Sequence, residues 1–122
     1  MSAVLDLLGS HAVEATRQSF GTAAKLREQL LVLGEDRGIV LRHSECSWAS
    51  ITYSGTRHSI ELEFTGHAAV LAGEAMLAKV TEHDFTIPGL IVADAAVRSV
   101  EQISQPVRRL VCTVELLLLE EN

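Results

Sequence analysis

Apolar residues recur along this chain at two different periods, and the change from one to the other divides it into elements. Val13, Thr16, Phe20, Ala23, Leu26, Leu30 and Leu33 follow one another at spacings of three and four. Such spacing lines one stripe of a helix and leaves Glu14, Arg17, Lys25 and Glu28 on the opposite side. Ser10 is placed to cap its start. Gly34 follows the last apolar residue as a C-terminal glycine does, and Glu35 to Gly38 reads as the turn beyond it. Gly21 interrupts the stripe at a cost of about 1 kcal/mol relative to alanine, which marks a kink or a close contact.

From Ile39 the period shortens. Ile39 to Leu41 reads as a short strand and Trp48 to Tyr53 as another, with Ser54-Gly55 as a turn. The clearest alternation runs from Arg57 to Thr65, where His58, Ile60, Leu62 and Phe64 form one face and Arg57, Ser59, Glu61 and Glu63 the other. A second helix is predicted from His67 to about Val80, with Ala69, Ala72, Met76 and Val80 on one side and Gly73 allowing close approach to a sheet. Phe85 and Ile87 resume extended chain, Pro88-Gly89 turns it, and Leu90 to about Ile103 forms a strand. Ser104-Gln105-Pro106 breaks that strand before a last one from Arg108 to Glu120. The expected fold is a single α+β domain over residues 1–122, ordered αββαββ, with one mainly antiparallel sheet and its helices on one face.

The last two strands admit a register. Pairing Glu101 with Arg108 sets Ser99 against Leu110, Val97 against Cys112, Ala95 against Val114, Ala93 against Leu116 and Ile91 against Leu118, a nearly continuous apolar face. On the other face, Asp94 then meets Glu115, and Leu90, Val92, Leu117 and Leu119 form an apolar patch away from the core. Such a patch predicts a subunit contact, with cover by the first helix as the alternative. Two carboxylates facing each other without water would raise one pKa, the arrangement acid/base enzymes use, so Asp94 and Glu115 are the candidate catalytic pair.

Length and composition limit the remaining possibilities. A chain of 122 residues with 48% hydrophobic and 21% charged residues can build one core and is too apolar to stay disordered. Its formal charge of -6 repels phosphate backbones, so no nucleic-acid partner is expected, and the Arg108-Arg109 pair has no aromatic cluster beside it. Cys46 and Cys112 make no disulfide framework, which fits a reducing, cytoplasmic setting. Met1 to Leu8 is apolar but carries Asp6, lacks a basic start and is too short to span a bilayer, so no membrane association is expected.

Candidate chemistry is sparse. His43 and Cys46 stand three apart and His83 adjoins Asp84, but each pair supplies two ligands where a metal needs more, and no metal is expected. His43 to Ser47 gathers a base and nucleophiles in one segment, whereas a working triad needs each group to have its own direction. Neither G-x-x-x-x-G-K nor G-x-G-x-x-G occurs, so no nucleotide cofactor is expected. His67 and Glu74, two turns apart on the second helix, are the candidate ligand-binding pair.

The order of elements, the size and the acidity resemble phage tail-terminator proteins and, more distantly, type III secretion chaperones. That resemblance is one of architecture and implies no particular residue role. The reading that follows is a non-enzymatic assembly or protein-binding domain, expected to be a homo-oligomer. The alternative is a small-molecule-binding domain or enzyme built on Asp94 and Glu115.

Overall fold

Helix α1 occupies residues 21–33 in the computed structural model, which describes residues 21–121. The predicted cap Ser10 and the upper part of the apolar stripe, Val13 to Phe20, lie outside the described residues. Within them the stripe holds: Leu26 and Leu30 are fully buried and Ala23 nearly so, while Lys25 and Glu28 are exposed. The helix ends differently from expectation. The left-handed residues are Glu35 and Asp36, with φ of 56° and 57°, and not Gly34. The N–H of Asp36 reaches back to the Leu31 carbonyl (2.8 Å) and that of Glu35 to Val32 (3.0 Å), which satisfies the last helical carbonyls in the Schellman pattern. Gly34 is small for another reason: a Cβ there would lie 2.8 Å from the Phe64 ring.

Strand β1, Gly38–Ala49, is a single element of 12 residues where two short strands were expected. It lies at the sheet edge with most of its side chains exposed, so no apolar alternation announces it. A bulge at Leu41 shifts its register against the next strand. The hairpin turn falls at residues 50–53, where the Ser50 hydroxyl accepts the Tyr53 N–H (3.1 Å), and not at Ser54-Gly55. Those two residues begin β2, Ser54–Thr65. Gly55 is required there, because a Cβ would fall 1.8 Å from the Leu118 carbonyl oxygen of the neighbouring strand.

After β2 comes α2, His67–Lys79, then β3, Leu90–Ile103, and β4, Arg109–Glu120. All pairings are antiparallel and the sheet order is β1-β2-β4-β3, so α2 carries the chain over the sheet between its two halves. Ile87 bridges to Leu90 across Pro88 and Gly89. This is the expected α+β fold with αββαββ order.

Alternation in the two central strands makes the core. Ile60, Leu62 and Phe64 of β2 pair with Val114, Cys112 and Leu110 of β4, and these six are fully buried together with Leu116 and Leu118. Leu26 and Leu30 of α1 and Val70 and Met76 of α2 join the same cluster, so both helices cover one face of the sheet. Each fully buried side chain of this size contributes about 1.5–3 kcal/mol of transfer free energy. Phe64 is the keystone. Its ring is bounded by Gly34, Gly38 and Gly73, where an added Cβ would come within 2.8, 2.7 and 2.7 Å of it.

The register expected for the last hairpin is corrected. Glu101 pairs with Val111, Val97 with Val114, Ala95 with Leu116 and Val92 with Leu118. The buried face of β4 is the expected one, but β3 carries bulges between Val92 and Asp94 and between Val97 and Ser99. Each bulge advances the register by one residue, so no single offset describes the hairpin.

Candidate functional site

Four groupings of polar or apolar side chains stand out against this frame: two on the outer face of the sheet, one around Arg108 and one beneath α1. The register of the last hairpin decides the first. Asp94 stands opposite Leu117, and Glu115 stands opposite Ala96. The predicted carboxylate pair is therefore not formed. Glu115 instead accepts from Arg57 (2.7 Å) and Arg98 (3.1 Å), and these two hydrogen bonds hold its carboxyl below the ordinary range. A carboxylate so committed is ionised and occupied, and the acid/base pairing with Asp94 loses its basis.

The predicted apolar patch is divided because the hairpin starts in another register, with Ile103 opposite Arg109. Leu90 and Val92 turn toward the helices and pack against the core, while Leu117 and Leu119 face outward. Ile91, 48% exposed, stands opposite Leu119 on that outer face. Gly55 lies on the other side of Leu119, and Trp48 of β1 pairs with Gly55. One end of the outer face thus reads Trp48, Gly55, Leu119, Ile91 across all four strands, with Leu117 in the next row. The rest of the face carries ion pairs, including Arg109 with Glu63.

His67 and Glu74 are brought to one guanidinium. Arg108 donates to His67 Nδ1 (2.8 Å) and to a Glu74 carboxylate oxygen (3.3 Å), at the edge of the solvent. His43 and Cys46 diverge: His43, opposite Ile60, faces the helices, and Cys46, opposite Arg57, faces outward. Among the described residues no three His, Cys, Asp or Glu side chains converge to hold a metal ion.

The fourth grouping was not singled out in the sequence. Arg27 of α1 meets His43 Nδ1 at 2.9 Å, and His43 Nε2 meets His58 Nδ1 at 2.8 Å. His58 Nε2 then lies 2.9 Å from the Thr56 hydroxyl and 3.4 Å from a Glu45 carboxylate oxygen. The chain has a fixed direction. A guanidinium has donors alone, so His43 Nδ1 accepts and its proton sits on Nε2. His58 Nδ1 must therefore accept as well, and its Nε2–H points to Thr56 and Glu45. Both imidazoles are neutral in this arrangement. Burial, then the neighbouring His58 and Arg27, push the His43 pKa down to about 4, and burial lowers that of His58. His58 is fully buried, and each of its ring nitrogens has a partner.

One signal for this grouping was present in the sequence. His58 occupies a core position in strict alternation with Ile60, Leu62 and Phe64, and a buried imidazole demands a partner. Nothing local identifies that partner as His43, because only the Leu41 bulge turns His43 to the helix side of β1.

These features define a two-layer α+β domain whose antiparallel sheet is covered by helices on one face. No protein-family model and no curated protein matches the sequence. Among solved structures, the fold is similar to a chain of the virion of a native gene transfer agent particle, with a TM-score of 0.54, 11% identity, and 67% of each chain covered. At that identity the likeness is one of fold. Among the described residues no helix is long and apolar enough to cross a membrane.

Proposed function

We propose that this protein is a non-enzymatic assembly subunit that associates with further copies of itself through the outer face of its sheet. The observation that carries this reading is the fold likeness to a virion chain, taken with a sheet whose outer face has no helix over it among the described residues. Four strands about 4.8 Å apart, with about twelve residues each at about 3.3 Å, present about 750 Å2, close to the roughly 800 Å2 that each partner buries in a standard interface.

Charge supports the same face. Arg42, Arg57, Arg98 and Arg109 stand there with Glu61, Glu63, Asp94, Glu101 and Glu115, a balance of -1 on a chain of -6. A nearly neutral surface on an acidic protein is where two copies repel each other least. The apolar end, Leu117 and Leu119 with Ile91 and Trp48, supplies the contact area that drives association. Leu90 and Val92 are left out of this interface because they serve the core.

Native mass from light scattering over a concentration series tests the reading. The wild-type chain is expected to form a defined oligomer, and Leu117→Glu is expected to give a folded monomer whose unfolding midpoint no longer depends on protein concentration. A wild-type chain that stays monomeric at every concentration would refute self-association through this face.

A further inference from the structure

The Arg27, His43, His58 and Glu45 chain ties a helix to two strands, and its hydrogen-bond direction leaves no place for an extra proton. We propose that it is an acid-operated latch: protonation of either imidazole breaks the Arg27 to His43 hydrogen bond or the His43 to His58 link behind it and loosens α1 from the sheet. On His43 the free nitrogen is Nδ1, which already faces a donor of Arg27. On His58 the free nitrogen is Nδ1, which already faces the His43 Nε2–H. If His43 yields by moving its proton to Nδ1, that proton again meets Arg27. Uptake at His43 therefore breaks its bond to Arg27, and uptake at His58 breaks that bond through this relay or else breaks the His43 to His58 link of the same chain.

The surroundings sharpen the effect. From α1 comes Arg27, a permanent cation that opposes a second positive charge at His43. From β1 comes Glu45, which favours a charge on His58, and from β2 come His58 itself and the uncharged Thr56. The neighbouring strand β4 sets Leu116 and Leu118 beside His58 and Thr56, and the buried side of α2 is Ala69, Val70, Ala72, Gly73 and Met76. Among the described residues the charged neighbours of the two imidazoles are thus Arg27 and Glu45. The sign follows from linkage. An unfolded or undocked His43 takes up a proton near 6.5 and the docked one near 4. Docking of α1 is therefore fully stabilised above about pH 6.5 and weakens as pH falls from there toward about 4. Leu26, Leu30 and the two hydrogen bonds between Gln29 and the Thr86 backbone do not titrate in this range and keep the opening local.

Amide hydrogen exchange on the full chain, corrected for the intrinsic pH dependence of exchange, tests the latch. Between about pH 7 and about pH 5, protection of residues 23–33 is expected to fall at least about tenfold relative to residues 110–118 of β4. The double substitution His43→Gln with His58→Gln keeps an acceptor toward Arg27 and donors along the chain but cannot titrate, so its α1 protection is expected to stay flat. Equal losses in the wild-type and double-substituted chains, or no loss in the wild type, would overturn the proposal. Nitrogen NMR of the wild-type imidazoles decides the matter if the double variant does not fold. The Nε2–H form of both rings, with protonation of His43 coinciding with α1 opening, supports the latch. Protonation of both rings with α1 protection unchanged refutes it.

Discussion

Gly73→Ala exposes how the core is built, because two ordinary rules disagree about its sign. Glycine in a helix interior costs about 1 kcal/mol relative to alanine, so on propensity alone the substitution stabilises α2 by about that much. Packing opposes it. The new methyl would lie 2.7 Å from the Phe64 ring and 2.8 Å from a Leu110 methyl. Neither has an easy retreat: Leu110 is fully buried in the sheet centre, and the far edge of the Phe64 ring is already against Gly34 and Gly38. Forcing an extra carbon into such a site costs about 1–3 kcal/mol. The net expectation is destabilisation by about 1 kcal/mol, read as a lower urea midpoint at constant m-value. Phe64→Leu, itself destabilising, removes the far part of the ring. In that background Gly73→Ala should become neutral or stabilising, which gives a coupling energy of about 1–2 kcal/mol in the double-mutant cycle. A Gly73→Ala chain more stable than wild type by the full propensity gain would show that the ring is free to move and that the three glycines do not confine it.

The remaining expectations concern titration and reactivity. Arg57→Ala removes the first hydrogen bond that holds Glu115 down, so the Glu115 carboxyl should titrate at higher pH in carbon NMR, with Arg98→Ala adding to the shift. Stability linked to this carboxylate is present above its unfolded pKa and lost as pH falls through the folded one, and the loss should begin at higher pH in Arg57→Ala. A disulfide-exchange reagent should modify exposed Cys46 rapidly and Cys112 only on unfolding, since burial pushes the Cys112 thiol up to about 11. Fast labelling of both thiols in the native protein would contradict the placement of Cys112 in the core.

What could be read from the sequence follows from how each element is buried. β2 has one wet and one dry side, so its period was plain, whereas α2 is apolar nearly all round and showed through its run of alanines between Gly66 and Lys79. β1 is an edge strand with no fully buried residue and most of them exposed, and the same polarity that suits an edge erased its signal. For β3, the hairpin starts with Ile103 opposite Arg109 and two bulges then shift it further, whereas a uniform ladder begun from Glu101 and Arg108 placed Asp94 beside Glu115 and turned Val92 outward. The histidine chain was hidden by the same device. Without the bulge at Leu41, continuing the alternation from Val40 would put Arg42 under the helices and send His43 to the outer face. Fifteen residues and a hairpin separate His43 from His58, and local patterns carry no information across that gap.

Since both helices press on the same side of the sheet, neighbouring residues along β2 and β4 answer to different demands. Ile60 and Val114 are constrained by the interior, where a lost methylene is felt by every contact around it. Ser59 and Glu115, one step along the chain, are constrained by whatever meets the outer surface. The demands of the interior and those of the outer surface are thereby written in alternate letters of the same strands, and the outer letters can be changed while the inner ones keep the molecule folded.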